Sequence, residues 1–456
     1  MSADKMHTVN DQNRAGLERV IEYALERIEM SSPPLDRCET PEALQRRAPH
    51  AITPQGIGVD AVLTEFVDVL APACLSTDHP RYLSFIPAAP TKTSLAFDLV
   101  VSASSMCASS WLEASGVVHA ENEALRWLAD LAGLPAGAGG CFVSGGSAGN
   151  LSALAVARQH GRSRALDGRR LRVAVGETAH SSIASVLNLL DMDAFIVPNS
   201  GDRLTGTALS EAINADPDRA SIVAVAAAAG ATNTGMIDDL AGIAAVAAES
   251  DLWMHVDGAY GAAALAAPSV RELFNGIELA DSFIVDPHKW LFAPFDCCAL
   301  IYRQPALASA VHAQHAGYLD AIHDSTEWNP TDYAFHLSRR ARGLPFWFSL
   351  AVHGTDAYRD AIEASISLAR SAAEVIEVTP YLDLVMQPQL SVVLFTRHGW
   401  EPNDYTCWSD KLLMDQRGFC LPTRWKGETV GRFVFINPRT TIEDVRDLID
   451  SLGDPA

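Results

Sequence analysis

The chain has 456 residues, 48% hydrophobic and 20% charged, with 34 basic residues against 56 acidic for a net charge of −22. Such a composition fits a globular protein long enough for more than one domain, and the acidic excess excludes nucleic acid or an anionic membrane as the main partner. No apolar run reaches the roughly 18 residues of a spanning helix, and the first thirty residues lack a signal peptide's cationic start and apolar stretch, so no membrane association and a cytoplasmic location are expected.

Asn13 to Met30 read as an amphipathic helix with Leu17, Val20, Ile21, Ala24, Leu25 and Ile28 at helical spacing, stopped by Ser31-Ser32-Pro33-Pro34. A second helix runs from Asp60 to Leu70, ahead of Pro72. Residues 1–85 hold too few apolar side chains for a core of their own. They are expected to pack on a second copy of the chain. Residues 86–345 change character: helical stretches give way to strand-length apolar runs at Arg172–Val175, Ala194–Val197, Ser221–Ala229, Leu252–Val256, Ser282–Val285 and Cys298–Tyr302, most of them separated by helix-like segments. That alternation predicts an α/β domain around a mostly parallel sheet, with ligands at its strand ends. Residues 346–456 read as a smaller α+β domain: a helix over Asp356–Ile376, strands at Leu390–Thr396 and Arg432–Ile436, and a helix from Thr441. The eight cysteines form no C-x-x-C pair and no metal spacing with histidine, so no metal is expected and they read as reduced, mostly buried small hydrophobes.

Five sites within the α/β region point to one chemistry. Ser144-Gly145-Gly146-Ser147-Ala148-Gly149-Asn150 precedes an Ala- and Leu-rich helix, where glycines and a helix N-terminus suit an anion such as phosphate; alone it is an ordinary helix start. His180, in Glu177-Thr178-Ala179-His180-Ser181-Ser182, follows a strand and is placed to lie over a planar ring, though a lone histidine is commonly structural. Gly230-Ala231-Thr232-Asn233-Thr234-Gly235 is a strand-end turn whose hydroxyls reach toward the same edge. Asp257 ends the run Leu252–Val256, either as a helix cap or as the partner of a protonated ring nitrogen. Lys289 leaves the run Ser282–Val285 through Asp286-Pro287-His288. A lysine at a strand end ordinarily points to water. Held beside an apolar run, its ammonium would be desolvated, its pKa lowered and its amine free to attack an aldehyde.

In this order the sites resemble the group II pyridoxal-phosphate-dependent amino acid decarboxylases, the family of the aromatic amino acid, histidine and glutamate decarboxylases. The likeness runs from about Pro80 to Thr441 and is most specific at His255-Val256-Asp257-Gly258-Ala259-Tyr260, at Asp286-Pro287-His288-Lys289-Trp290 and at Asn437-Pro438-Arg439-Thr440-Thr441. The resemblance implies fold type I, a seven-stranded sheet with helices on both faces, and a homodimer with its sites at the subunit interface. It implies pyridoxal 5′-phosphate as cofactor, with Lys289 as the Schiff-base lysine, Asp257 at the ring nitrogen and His180 on the ring face. Gly146, Ser147 and Ala148 match the phosphate turn, and Thr232, Ala259 and His288 match positions lining the cofactor; Asp286 stands where some members carry Asn. The implied reaction is decarboxylation of an L-amino acid to the amine and CO₂.

Family members carry a tyrosine on a mobile loop, here Tyr318–Arg340. With Ser338-Arg339-Arg340 aligned, that position falls near Pro330, and Tyr333 matches only after a short shift. Loss of the tyrosine would favour an aldehyde synthase of the same family; a noncatalytic homologue is a further alternative. Tyr82–Ala88 matches the substrate-facing segment, and Phe85, Ile86 and a partner's Trp111 suggest an apolar pocket for an aromatic or aliphatic side chain, or equally core residues. Arg432 either reaches a carboxylate or serves the structure.

Overall fold

A computed structural model describes residues 4–48, 51–162, 169–317, 320–323 and 327–453. Seven strands form the larger sheet: β1 (Gly139–Val143), β2 (Arg172–Gly176), β3 (Asp193–Val197), β4 (Ile222–Ala228), β5 (Trp253–Asp257), β6 (Ser282–Val285) and β7 (Cys298–Tyr302). Their order is β1-β7-β6-β5-β4-β2-β3, with β3, β2, β4, β5 and β6 parallel and β7 antiparallel to both its neighbours. The mostly parallel α/β sheet expected from the alternation is therefore present. Six strands coincide within one or two residues with the apolar runs; except in the exposed edge strand β3, this is because a strand covered on both faces needs no polar alternation. β4, Ile-Val-Ala-Val-Ala-Ala-Ala, is buried at every position.

β1 is the strand the pattern hides. It opens on Gly139-Gly140, which leaves only Cys141–Val143 as an apolar run. The glycine is required by the neighbour: a Cβ on Gly140 would lie 1.9 Å from the carbonyl oxygen of Leu300 on β7.

Alternate residues of each strand feed two cores. Phe283 and Val285 of β6 join the core that includes Leu125, Leu128, Ile243 and Phe346, while Ile284 joins Leu154, Ile183 and Leu187 on the other face. Helices Trp111–Leu131, Leu240–Glu249 and Leu344–His353 thus cover one face, and Gly146–Gly161 and Ser181–Leu189 the other.

The C-terminal part builds a second, antiparallel sheet of β8 (Leu382–Leu384), β9 (Val392–Arg397), β10 (Thr423–Trp425) and β11 (Glu428–Val434), ordered β10-β11-β9-β8. Helix Thr355–Val378 packs on it with helix Ile442–Asp450 through Ala369, Ala373, Ile376, Leu448 and Ile449. The smaller α+β layer is as expected, except that β8 and β10, three residues each, are too short to leave a pattern. Helix Asp11–Glu29 is present, and among its described residues only Gly16 is buried. Leu17, Ile21 and Leu25 remain 48%, 51% and 47% exposed. The cysteines depart from expectation: Cys141, Cys297, Cys298 and Cys420 are buried, but Cys38, Cys74, Cys107 and Cys407 are exposed. No helix among the described residues is long and apolar enough to cross a membrane.

Candidate active site

The carboxyl ends of the parallel strands open on a cavity of ≈ 440 Å³. Gly146, Ser147 and Ala148 after β1, His180 after β2, Thr232 after β4, Asp257 and Ala259 at the end of β5, and His288 and Lys289 after β6 all line it. Residues far apart in sequence, such as Gly146 and Lys289, 143 positions from each other, meet there because parallel strands deliver all their ends to one edge.

Lys289 Nζ lies 2.8 Å from Asp286 Oδ2. Burial pushes the ammonium toward losing its proton, but the Asp286 carboxylate, aided by the charge of Asp257, outweighs it, and the pKa stands above the usual lysine value. The lowered pKa expected from desolvation alone is corrected here: the apolar strand also delivers a counter-ion, three residues earlier in the same turn. Asp286 is 1% exposed, and its Oδ1 is buried without a hydrogen-bond partner among the described residues. His288, also buried, has its pKa lowered, chiefly by burial, and its Nδ1 is held at Cys297.

Asp257 is oriented from both sides: its Oδ1 accepts the Ala259 N–H at 3.1 Å, and its Oδ2 accepts from Asn150 Nδ2 at 2.9 Å. His180 caps helix Ser181–Leu189, its Nδ1 accepting the backbone N–H of Ser182 at 3.2 Å. Helix Gly146–Gly161 begins after Gly145 with no side chain capping its first amides. Its first turn is therefore free to meet an anion.

Other expected residues lie elsewhere. Tyr333 is 9% exposed and stacks on Trp328 at 4.2 Å within the core beneath β1 and β7, and burial raises its pKa far above the usual tyrosine value. Tyr318 lies outside the described residues. Arg432 donates to the carbonyl oxygens of Thr232 at 2.6 Å and Phe85 at 3.0 Å, so it ties the Thr232 turn at the cavity to the backbone of a distant segment. Burial lowers its pKa to about 10. Phe85, Ile86 and Trp111 do not line the cavity of this chain, which is bordered instead by Phe295 and Asp296. Asn150 was not anticipated as a site residue; it falls one turn after Gly146 and one turn before Leu154 on the buried face of an apolar helix, and a polar side chain there is the signal that could have found it.

The residues present fit pyridoxal 5′-phosphate. A Cβ on Gly146 would stand 3.1 Å from Ala259 Cβ and 3.2 Å from Asp286 Oδ2, so any side chain would fill the space above the uncapped amides. An amine, a carboxylate fixed by two N–H groups and that anion-receptive turn are the three kinds of group an aldehyde, a pyridine nitrogen and a phosphate need.

The whole chain superposes on the crystal structure of Oryza sativa TDC with PLP and tryptamine with a TM-score of 0.89, at 23% identity and 98% coverage of each chain. Its architecture is fold type I of pyridoxal-phosphate enzymes. The model of the pyridoxal-dependent decarboxylase conserved domain matches residues 41–398, and the chain belongs to that family, as a carboxy-lyase that uses pyridoxal 5′-phosphate. Similar relatives include an aromatic-L-amino-acid decarboxylase of Bacillus atrophaeus, 31% identical over 386 residues covering 82% of this chain and 80% of that one. An L-2,4-diaminobutyrate decarboxylase of Rhizobium meliloti is 30% identical over 415 residues, 88% of this chain and 83% of that one.

Proposed function

We propose that the enzyme decarboxylates an L-amino acid with an aromatic or otherwise apolar side chain, releasing CO₂ and the amine, and that it works as a homodimer. The observation that carries the site assignment is the convergence of Lys289, Asp257, His180 and the Gly146–Ala148 turn on one cavity at the strand ends. When bound, pyridoxal 5′-phosphate supplies an aldehyde carbon that amines attack and a ring that accepts the electron pair released with CO₂. Gly146, Ser147 and Ala148 would hold its phosphate, Asp257 a proton at its ring nitrogen, and His180 the face of its ring; Thr232, Ala259 and His288 line the space around it.

For Lys289 to act as the nucleophile its Nζ must shed a proton, and Asp286 Oδ2 at 2.8 Å is the acceptor within reach. The same carboxylate would hold the Lys289 ammonium whenever that amine is free and protonated. Asp257 is held in one orientation, because Ala259 and Asn150 grip one oxygen each.

The apolar preference rests on Phe295, which borders the cavity and is 56% exposed in a single chain. A second copy is supported by the exposed stripe Leu17, Ile21 and Leu25, with Val62, Phe66 and Leu112 also bare at 46%, 43% and 67%. The proposed division is an N-terminal dimerisation segment over 1–85, a cofactor domain over 86–345 and a small domain over 346–456.

The aldehyde synthase reading is favoured by one fact: Tyr333 is packed on Trp328 and does not line the cavity. A panel of L-amino acids assayed together for CO₂, amine, ammonia and peroxide decides both points. Amine equal to CO₂ without peroxide is expected, for an aromatic or aliphatic substrate; aldehyde, ammonia and peroxide would establish the rival, and no CO₂ from any member would end the decarboxylase proposal.

A further inference from the structure

From the core into the cavity lining, a continuous set of hydrogen bonds runs from Trp253 to both groups assigned to the cofactor ring. Trp253 Nε1 donates to Ser282 Oγ at 2.9 Å, and Ser282 Oγ lies 2.9 Å from His255 Nδ1. His255 Nε2 lies 2.8 Å from Asn150 Oδ1. There the set forks: Asn150 Nδ2 donates to Asp257 Oδ2 at 2.9 Å and to Ser182 Oγ at 3.1 Å. Ser182 Oγ in turn lies 2.8 Å from His180 Nδ1.

Every proton in this set has one place to be. Ser282 Oγ accepts the indole N–H, which leaves its own proton for His255 Nδ1. Burial, partly offset by the charge of Asp257, lowers the His255 pKa to about 4, so the ring is neutral and its single proton sits on Nε2, facing Asn150 Oδ1. The amide nitrogen must then face the acceptor-only carboxylate. On the other arm, His180 Nδ1 already accepts a backbone N–H, so the Ser182 hydroxyl donates to it as well. His255, Ser282 and Asn150 are all 0% exposed, so the bonds among them form where a low local dielectric strengthens them.

Only an asparagine side chain meets the fork at this reach. It offers two N–H bonds from one atom and an acceptor on the other, where aspartate has no donor and leucine neither. We infer that Asn150 is the positioning residue that ties Asp257 and His180 together, so that the group at the ring nitrogen and the group on the ring face are set in register by a single amide. The inference rests on the assignment of Asp257 and His180 to the cofactor ring made above.

The test compares Asn150→Asp, Asn150→Leu, Ser182→Ala and Asp257→Ala with the parent as holoenzymes, reading cofactor affinity, the visible circular dichroism of the bound cofactor, and kcat against KM. For Asn150→Asp the cofactor dissociation constant is expected to rise about tenfold or more, as when the outer partners of a bound group are lost, with weaker dichroism per bound cofactor and a fall in kcat larger than any rise in KM. Asn150→Leu should change the dichroism in the same direction; a Leu variant with a lower Tm but parental dichroism would reduce Asn150 to packing and overturn the inference. Ser182→Ala spares the Asp257 arm, so kcat should fall while cofactor affinity stays parental. If the Asn150 variants do not fold, parental kcat and dichroism in Ser182→Ala overturn the coupling by themselves. Asp257→Ala separates the two layers: parental dichroism there sinks the ring assignment, whereas altered dichroism there beside a parental Asn150→Asp sinks only the positioning role.

Discussion

The floor of the site and its mouth are built in opposite ways. At the floor, Asn150, His255 and Asp286 are 0 to 1% exposed, and the bonds that converge on Asp257 run in one fixed sense. At the mouth, Phe295 borders the cavity and is 56% exposed. A single chain thus completes the part proposed to grip a cofactor. The part that would choose a side chain and exclude water is left bare, as expected of a surface that a second copy covers in the proposed dimer. Rigid, desolvated groups suit a function that needs preorganisation, and adjustable apolar surface suits one that varies among relatives.

The sharpest way to break this contrast is at the floor. Lys289→Ala should lower turnover by about a thousandfold or more, the scale on which loss of a nucleophile acts, and should abolish the borohydride-reducible link to the cofactor. If a reducible link persists, the anchor is another residue. Because the substitution leaves the Asp286 carboxylate buried without its cation, Tm should fall too, and the double variant Lys289→Ala with Asp286→Asn should recover most of it while remaining inactive.

A smaller effect is expected from Asp286→Asn alone. In the parent, the ion pair holds Lys289 above the usual lysine pKa, so its stabilisation is fully present below the unfolded-state value and is lost as pH rises through the raised one. With asparagine, burial acts with little opposition and the amine titrates lower. The rate at which apoprotein takes up pyridoxal 5′-phosphate should therefore begin its rise with pH about one to three units earlier. An unmoved profile would mean that Asp286 does not govern this amine.

Much of the floor was legible in the sequence because parallel strands covered on both faces leave continuous apolar runs, and the residues just past them fall at one edge. Asp257 and Lys289 follow from that rule without any contact being known. What escaped is what depends on contacts between distant segments. Gly140 is dictated by the backbone of Leu300, the raised pKa of Lys289 by the turn that brings Asp286 back onto it, and Asn150 by His255 and Asp257, more than a hundred residues away. The mouth was read least well: spacing cannot tell an aromatic that borders a cavity, such as Phe295, from one stacked in a core, such as Tyr333.

The smallest expected effect is the one that bears most on the mouth. Tyr333 is 9% exposed, lies against Trp328, and accepts the Tyr302 hydroxyl only through its backbone oxygen, so Tyr333→Phe preserves both contacts. Its loss is that of one hydroxyl, worth about 1 kcal/mol of stability at most. Were Tyr333 the residue that returns a proton to the product carbon, kcat would drop and the ratio of aldehyde to amine would climb. The packing predicts neither: kcat within about twofold of the parent and the same product ratio, measured by amine and peroxide release from one reaction. A large fall in kcat with parental Tm would mean that this segment leaves the core during turnover and reaches the cavity, and the division between a fixed floor and an adjustable mouth would then have to include the loop as a catalytic part.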